Sequence, residues 1–217
     1  MVNVARYLLA GFTRSRGFVA PLAVLVGGVI VLYAQPPNPV LATAGTVAAF
    51  LFGVQCWISL GLYNAAGATD RQVLAATVGA RSLAGGRLLA AGALALAASL
   101  LALCIPLIGG AFQRTPHLAE IGLILGANLT STIAAAALAA LFSAPTVRSG
   151  AISILGLATV IVLTIPLRIP PVIPVARALD TTHSGHAAAA LETPAAAVLI
   201  FAVAVTPLGA LLWRRRE

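Results

Sequence analysis

Long apolar runs, separated by short polar or proline-rich breaks, set the pattern of this chain. Six runs approach membrane length, at about 18–34, 41–63, 88–110, 118–142, 149–167 and 195–213. A helix needs about 20 apolar residues to cross roughly 30 Å of hydrocarbon, so each run predicts a transmembrane helix. The breaks between them carry turn chemistry: "QPPNP" at 35–39, "QRTPH" at 113–117 and "SAPTVRSG" at 143–150. Pro166 and Pro207 fall near span ends, where a proline kinks a membrane helix without breaking it. The fold class expected is all-α and integral to the membrane: one transmembrane domain over 1–217 with six spans.

Ahead of the first run, "NVARYLLAGFTR" places Val4, Tyr7, Leu8, Gly11 and Phe12 at helical spacing, with Asn3, Arg6 and Thr13 opposite. This pattern over 1–17 predicts an amphipathic helix lying in the headgroup plane, its arginines toward anionic lipid. Leu32 and Ala34 make a poor small-x-small cleavage site, so the first run is expected to stay as a span rather than be removed as a signal peptide.

Composition agrees. The chain is 60% hydrophobic and only 8% charged, against roughly 25% charged for a soluble domain. Every one of its 13 basic residues is an arginine. Without lysine a phosphate-binding loop of the G-x-x-x-x-G-K-[ST] type is impossible, and any nucleotide chemistry must come from another chain. The arginines cluster at the ends of apolar runs, not on a basic face with aromatics, so the net charge of +8 does not point to nucleic acid. If the N-terminus is cytoplasmic, Arg6, Arg14, Arg16, Arg71, Arg81, Arg87, Arg148, Arg214, Arg215 and Arg216 fall inside, and Arg114, Arg168 and Arg177 outside. That excess satisfies the positive-inside rule and predicts both termini in the cytoplasm of a bacterial inner-membrane protein. Cys56 and Cys104 lie within apolar runs and read as small buried hydrophobes.

Between the second and third runs, "NAAGATDRQVLAATVGARS" reads as a short helix over 70–78. Thr69 and Gln72 have the spacing of a capping box, Asp70 suits the positive end of the helix dipole, and Gly79 supplies the stop. Nine residues are too few for a stable isolated helix, so the element must pack on something. Val73, Leu74, Thr77 and Val78 gather on one side, with Arg71 and Gln72 elsewhere. The receiving surface is either the protein's own lipid interface or a groove in another protein.

This order of elements, with Gly67, Ala68 and Thr69 leading through Asp70 to Leu74, then Gly79 and Arg87 ahead of Leu88, resembles the membrane subunit of type 2 ABC exporters. The chain departs from that pattern in having "NAAGA" where acidic residues are common and Gly79 where proline is usual. The resemblance implies a coupling helix formed by Thr69, Asp70, Arg71, Gln72, Val73, Leu74, Thr77 and Val78, docked on a separate ABC ATPase. It further implies two ATPase copies carrying ATP and Mg, a second membrane subunit of the same or a related kind, no cofactor or catalytic site in this chain, and outward movement of a lipophilic or amphipathic substrate. A haem exporter subunit of cytochrome c maturation is a near variant. An ATP-independent secondary transporter or membrane scaffold is the reading from another class.

Within the runs, Gln55 and Ser59 sit one turn apart, as do Asn128 and Thr132, and such groups usually find partners on neighbouring helices. Ser149, Ser153, Gly156, Val160 and Thr164 form a small-and-polar stripe. In the family this chain resembles, spans two and five line the central path. That implies Gln55, Ser59, Ser153, Gly156 and Thr164 as substrate-path or dimer contacts. No charged side chain lies deep in a run, which disfavours a proton relay. The proline-rich segment 167–193 resembles the family's external re-entrant helices. Its Asp180, His183 and His186 recur every three residues, but Ser184 and Gly185 favour a turn and no fourth ligand is near, so a metal site is not expected.

Overall fold

The computed structural model describes residues 1–34, 40–112, 114–143, 150–167 and Ala196. Among them are seven α-helices: α1 (Val2–Arg14), α2 (Val19–Tyr33), α3 (Val40–Asn64), α4 (Ala68–Val78), α5 (Ala80–Ile108), α6 (Leu118–Leu141) and α7 (Gly150–Leu167). Three of these, α3, α5 and α6, are long and apolar enough to cross a membrane. The number is four if α1 and α2 count as one span bent by 83°. The described residues are all-helical and make a membrane-embedded protein. The expected external segment 167–193 and last span 195–213 lie outside the described residues, save Leu167 and Ala196.

Side-chain contacts fix how the helices alternate. Phe12 near the end of α1 reaches Gly61 near the end of α3, and Met1 and Val4 sit over Gly85 and Gly86 near the start of α5. At the opposite end, the Tyr33 ring closing α2 meets Phe112 just beyond α5, edge to face with centroids 5.4 Å apart. Thus α2 and α5 rise together. α3 returns beside α6, with which it shares the largest interface: the Tyr63 hydroxyl donates to the Ala136 carbonyl at 3.3 Å, and the Cys56 thiol to that of Ala135 at 3.6 Å. Arg6, Arg14, Arg16, Arg71, Arg81 and Arg87 therefore share one end of the bundle with α1 and α4, and Arg114 sits at the other.

Several boundaries differ from those expected. α2 has 15 residues, not the 17 of the run, and α5 begins at Ala80, two turns before its apolar run. Arginine is a good helix former, so Arg81 and Arg87 do not stop α5. The Gly85–Gly86 pair that should weaken it is covered by α1. The amphipathic face of α1 is also rotated from expectation: Val4, Ala5, Leu8 and Phe12 are buried, whereas Tyr7 is 56% exposed and Gly11 is exposed. Glycines on α3 and α5 let α1 seat its apolar stripe on protein.

α3 and α6 are both rich in fully buried alanines, Ala44 and Ala48 on α3 and Ala134, Ala135 and Ala139 on α6, and Cys56 and Tyr63 of α3 reach the α6 backbone itself. Without a water-driven hydrophobic force between spans, such small residues maximise dispersion contact between backbones. α2 and α3 use the same device at Gly28, where a Cβ would overlap the Phe50 ring.

Candidate functional site: a projecting helix and a buried polar seam

Helix α4 has its own punctuation. It starts one residue ahead of Thr69, with Gly67 at the N-cap, so Thr69 stands inside the helix and not at the cap position that the expected capping box requires. Gly67 has no side chain with which to cap the first amides. Asp70 lies in the first turn as expected. Gly79 ends the helix at φ 80° and ψ 148°, a conformation close to glycine-only, and its N–H donates to the Ala75 carbonyl at 3.0 Å. The same residue opens α5: the Leu83 N–H donates to the Gly79 carbonyl at 3.1 Å. A single glycine thus joins α4 to a 29-residue helix.

The predicted apolar face of α4 splits. Leu74 and Ala75 turn inward and pack partly against the core. Val73 is 56% exposed and Val78 39%, and Asp70, Gln72 and Thr77 are exposed with them. Thr77 folds its hydroxyl back onto the carbonyls of Val73 and Leu74, at 2.9 and 3.2 Å. Thr69 and Arg71 lie in the first turns of the helix.

The second feature is internal. Gln55, Ser59, Ser99, Asn128, Ser131 and Thr132 are all completely buried, on α3, α5 and α6. Gln55 Nε2 donates to Ser59 Oγ at 3.2 Å, and Ser99 and Thr132 pair across α5 and α6 at 3.4 Å. Thr132 also donates to the Asn128 carbonyl at 2.9 Å. Yet Gln55 Oε1, both side-chain amide atoms of Asn128 and Ser131 Oγ have no hydrogen-bond partner among the described residues. Each such atom costs about 1–3 kcal/mol. Sequence spacing exposed the Gln55–Ser59 and Asn128–Thr132 pairs. It missed Ser99, which stands singly in an alanine-rich run, and Ser131, which is hidden between Thr130 and Thr132.

The remaining predicted site residues lie elsewhere. Ser153 donates to the Phe142 carbonyl, and a Cβ on Gly156 would press on the Phe142 ring at 2.8 Å. Both therefore fasten α7 to the end of α6. Thr164 lies further along α7. Among the described residues, α7 makes no substantial interface with α3, so Gln55 and Ser59 are not brought beside Ser153 and Gly156 within one chain.

At the far end, Glu120 is 3% exposed. It accepts from Arg114 at 2.6 and 2.9 Å and from the His117 N–H at 2.9 Å, closing a capping box at the start of α6. The carboxylate raises the Arg114 guanidinium above even its usual range. This carboxylate is fully engaged and orders a helix start. The signal was a Glu three residues after a potential cap, a spacing that also serves in capping boxes led by Ser or Thr.

In comparisons with protein-family models, curated proteins and solved structures, no match was found.

Proposed function

We propose that this chain is the membrane-spanning subunit of an ATP-driven exporter of the type 2 ABC class. In this reading it sits in the bacterial inner membrane with both termini cytoplasmic. It pairs with a second such subunit, binds two ATPase subunits that carry ATP and Mg, and moves a lipophilic or amphipathic molecule outward. The observation that carries the reading is α4: a short helix at the arginine-rich end that leaves Val73 and Val78 uncovered while being tied directly to α3 and α5. An amphipathic helix with an open apolar face suits a groove in a partner.

The connectivity gives α4 leverage. Force applied to it passes through Gly79 into α5 and through 65–67 into α3, whereas α6 has no direct link to it. A pull on α4 therefore shifts α3 and α5 against α6, along the interface where Gln55, Asn128 and Ser131 hold unsatisfied atoms. Parting α3 from α6 hydrates those atoms, which offsets part of the packing lost. Gln55 and Ser59 then line the opened route, while Ser153 and Gly156 hold α7 to Phe142 and α7 serves the contact between membrane subunits.

The test is purification of the full chain from its native membrane, with a search for a co-purifying ABC ATPase, comparing wild type with Val73→Asp. Val73 is the better choice than Leu74, because Leu74 also packs on the core. The proposal expects the variant to insert normally and lose the ATPase. Retention of the ATPase by Val73→Asp, or absence of any ATPase from the wild-type complex, overturns it.

A further inference from the structure

The bend between α1 and α2 shelters a groove of about 390 Å³, counting its open mouth, lined by Phe12, Phe18, Leu22, Ile58, Leu94 and Leu101 among others. Its walls are almost wholly apolar. Leu22 and Leu101 form its lips at 37% and 39% exposure, so it opens sideways on the bundle surface, where hydrocarbon lies. Its roof is the elbow, held by local bonds: Ser15 Oγ donates to the Phe12 carbonyl at 2.7 Å and accepts from the Gly17 N–H at 3.3 Å. These bring the Phe12 and Phe18 rings to 6.5 Å.

Between those two rings in sequence stand Arg14 and Arg16, both exposed. Arg16 is the only non-glycine among the described residues with positive φ, at 54°. A left-handed backbone costs an L-residue about 1–2 kcal/mol, and Gly17, next in the chain, would take it freely. A guanidinium is thus set at the turn in spite of the backbone cost. The elbow thus carries two exposed cations in the turn that joins the groove-lining Phe12 and Phe18.

We infer that the elbow is a binding site for one anionic phospholipid, its phosphate held by Arg14 and Arg16 and an acyl chain laid in the groove beneath Phe12 and Phe18. Arginine forks match phosphate oxygens in a bidentate manner. The slot accepts a chain that would otherwise lie against a gap under the bent helix pair, and its occupation holds α1 at a fixed angle to α2. The inference needs only that α1 lies at a membrane surface. It holds for either orientation of the chain and independently of any ATPase.

Native mass spectrometry of the purified full chain, titrated with phosphatidylglycerol and with phosphatidylcholine of the same acyl chains, tests it. Wild type should prefer phosphatidylglycerol about tenfold. Arg14→Gln with Arg16→Gln should erase that preference and leave the phosphatidylcholine level. Ala97→Phe, which fills the groove, should weaken both lipids, and Leu101→Trp at the lip serves if that variant does not insert. Arg6→Gln, a charge removed from the exposed face of α1 well before the elbow, should change nothing. Equal binding of the two lipids by wild type, an Arg6→Gln loss as large as that of the elbow pair, or undiminished binding with the groove filled overturns the assignment.

Discussion

Helix α4 and the α3–α6 seam are opposites. α4 projects from the bundle with valines uncovered, whereas the seam lies in the bundle interior with amides and hydroxyls sealed from water. Each breaks the pattern that the rest of the chain obeys, but the cost falls differently. An exposed valine is cheap and common on a surface. An amide buried without a partner costs stability in every molecule at every moment. A feature as cheap as the first is read by what would cover it, and one as expensive as the second by what would relieve it.

Substitutions can break or sharpen this contrast through stability, measured as unfolding midpoints of the purified chain in detergent. The largest effect is expected at Ala135→Leu, which forces a branched side chain into a fully buried position of α6 whose carbonyl accepts from Cys56 of α3. Overpacking of this kind costs about 1–3 kcal/mol or more. Asn128→Leu should act in the opposite direction, raising stability by about 1–3 kcal/mol as two orphaned atoms disappear. A loss of stability there would mean that Asn128 has a partner and the seam is ordinary structure. Tyr63→Phe removes one hydrogen bond to the Ala136 carbonyl and should cost about 0.5–1.5 kcal/mol. Val73→Asp on α4 should stay within about 0.5 kcal/mol of wild type, as expected of a surface change. A clear destabilisation by Val73→Asp would show the valine to be packed, and the contrast would fail.

The sequence made legible whatever depended on run length and local punctuation. Apolar runs located α3 and α6 within a residue at each end, and Gly79 announced the end of α4 because few other residues tolerate its backbone angles. What escaped depended on neighbours far along the chain. The extension of α5 through Gly85 and Gly86 rests on Met1 and Val4 lying across them. The rotated face of α1 follows from where α3 and α5 offer glycines, so Tyr7 points outward despite its helical spacing. The capping reading failed because Thr69 fitted the box motif, yet the helix starts at Ala68 behind a glycine. In the seam, pairs spaced by four could be seen, whereas Ser99, alone among alanines, and Ser131, between two threonines, could not. The left-handed turn was visible only as a glycine at position 17, one residue from where the backbone takes it.

The central claim is that α4 stands in the cytoplasm and is gripped there by an ATPase. Its most direct test places a cysteine at Val73 in a chain with Cys56 and Cys104 replaced by alanine, and measures labelling by a membrane-impermeant maleimide. The account predicts labelling in inverted membrane vesicles, none in right-side-out vesicles, and protection once the ATPase is bound. Labelling from the outer face, or labelling that the bound ATPase leaves unchanged, would contradict it.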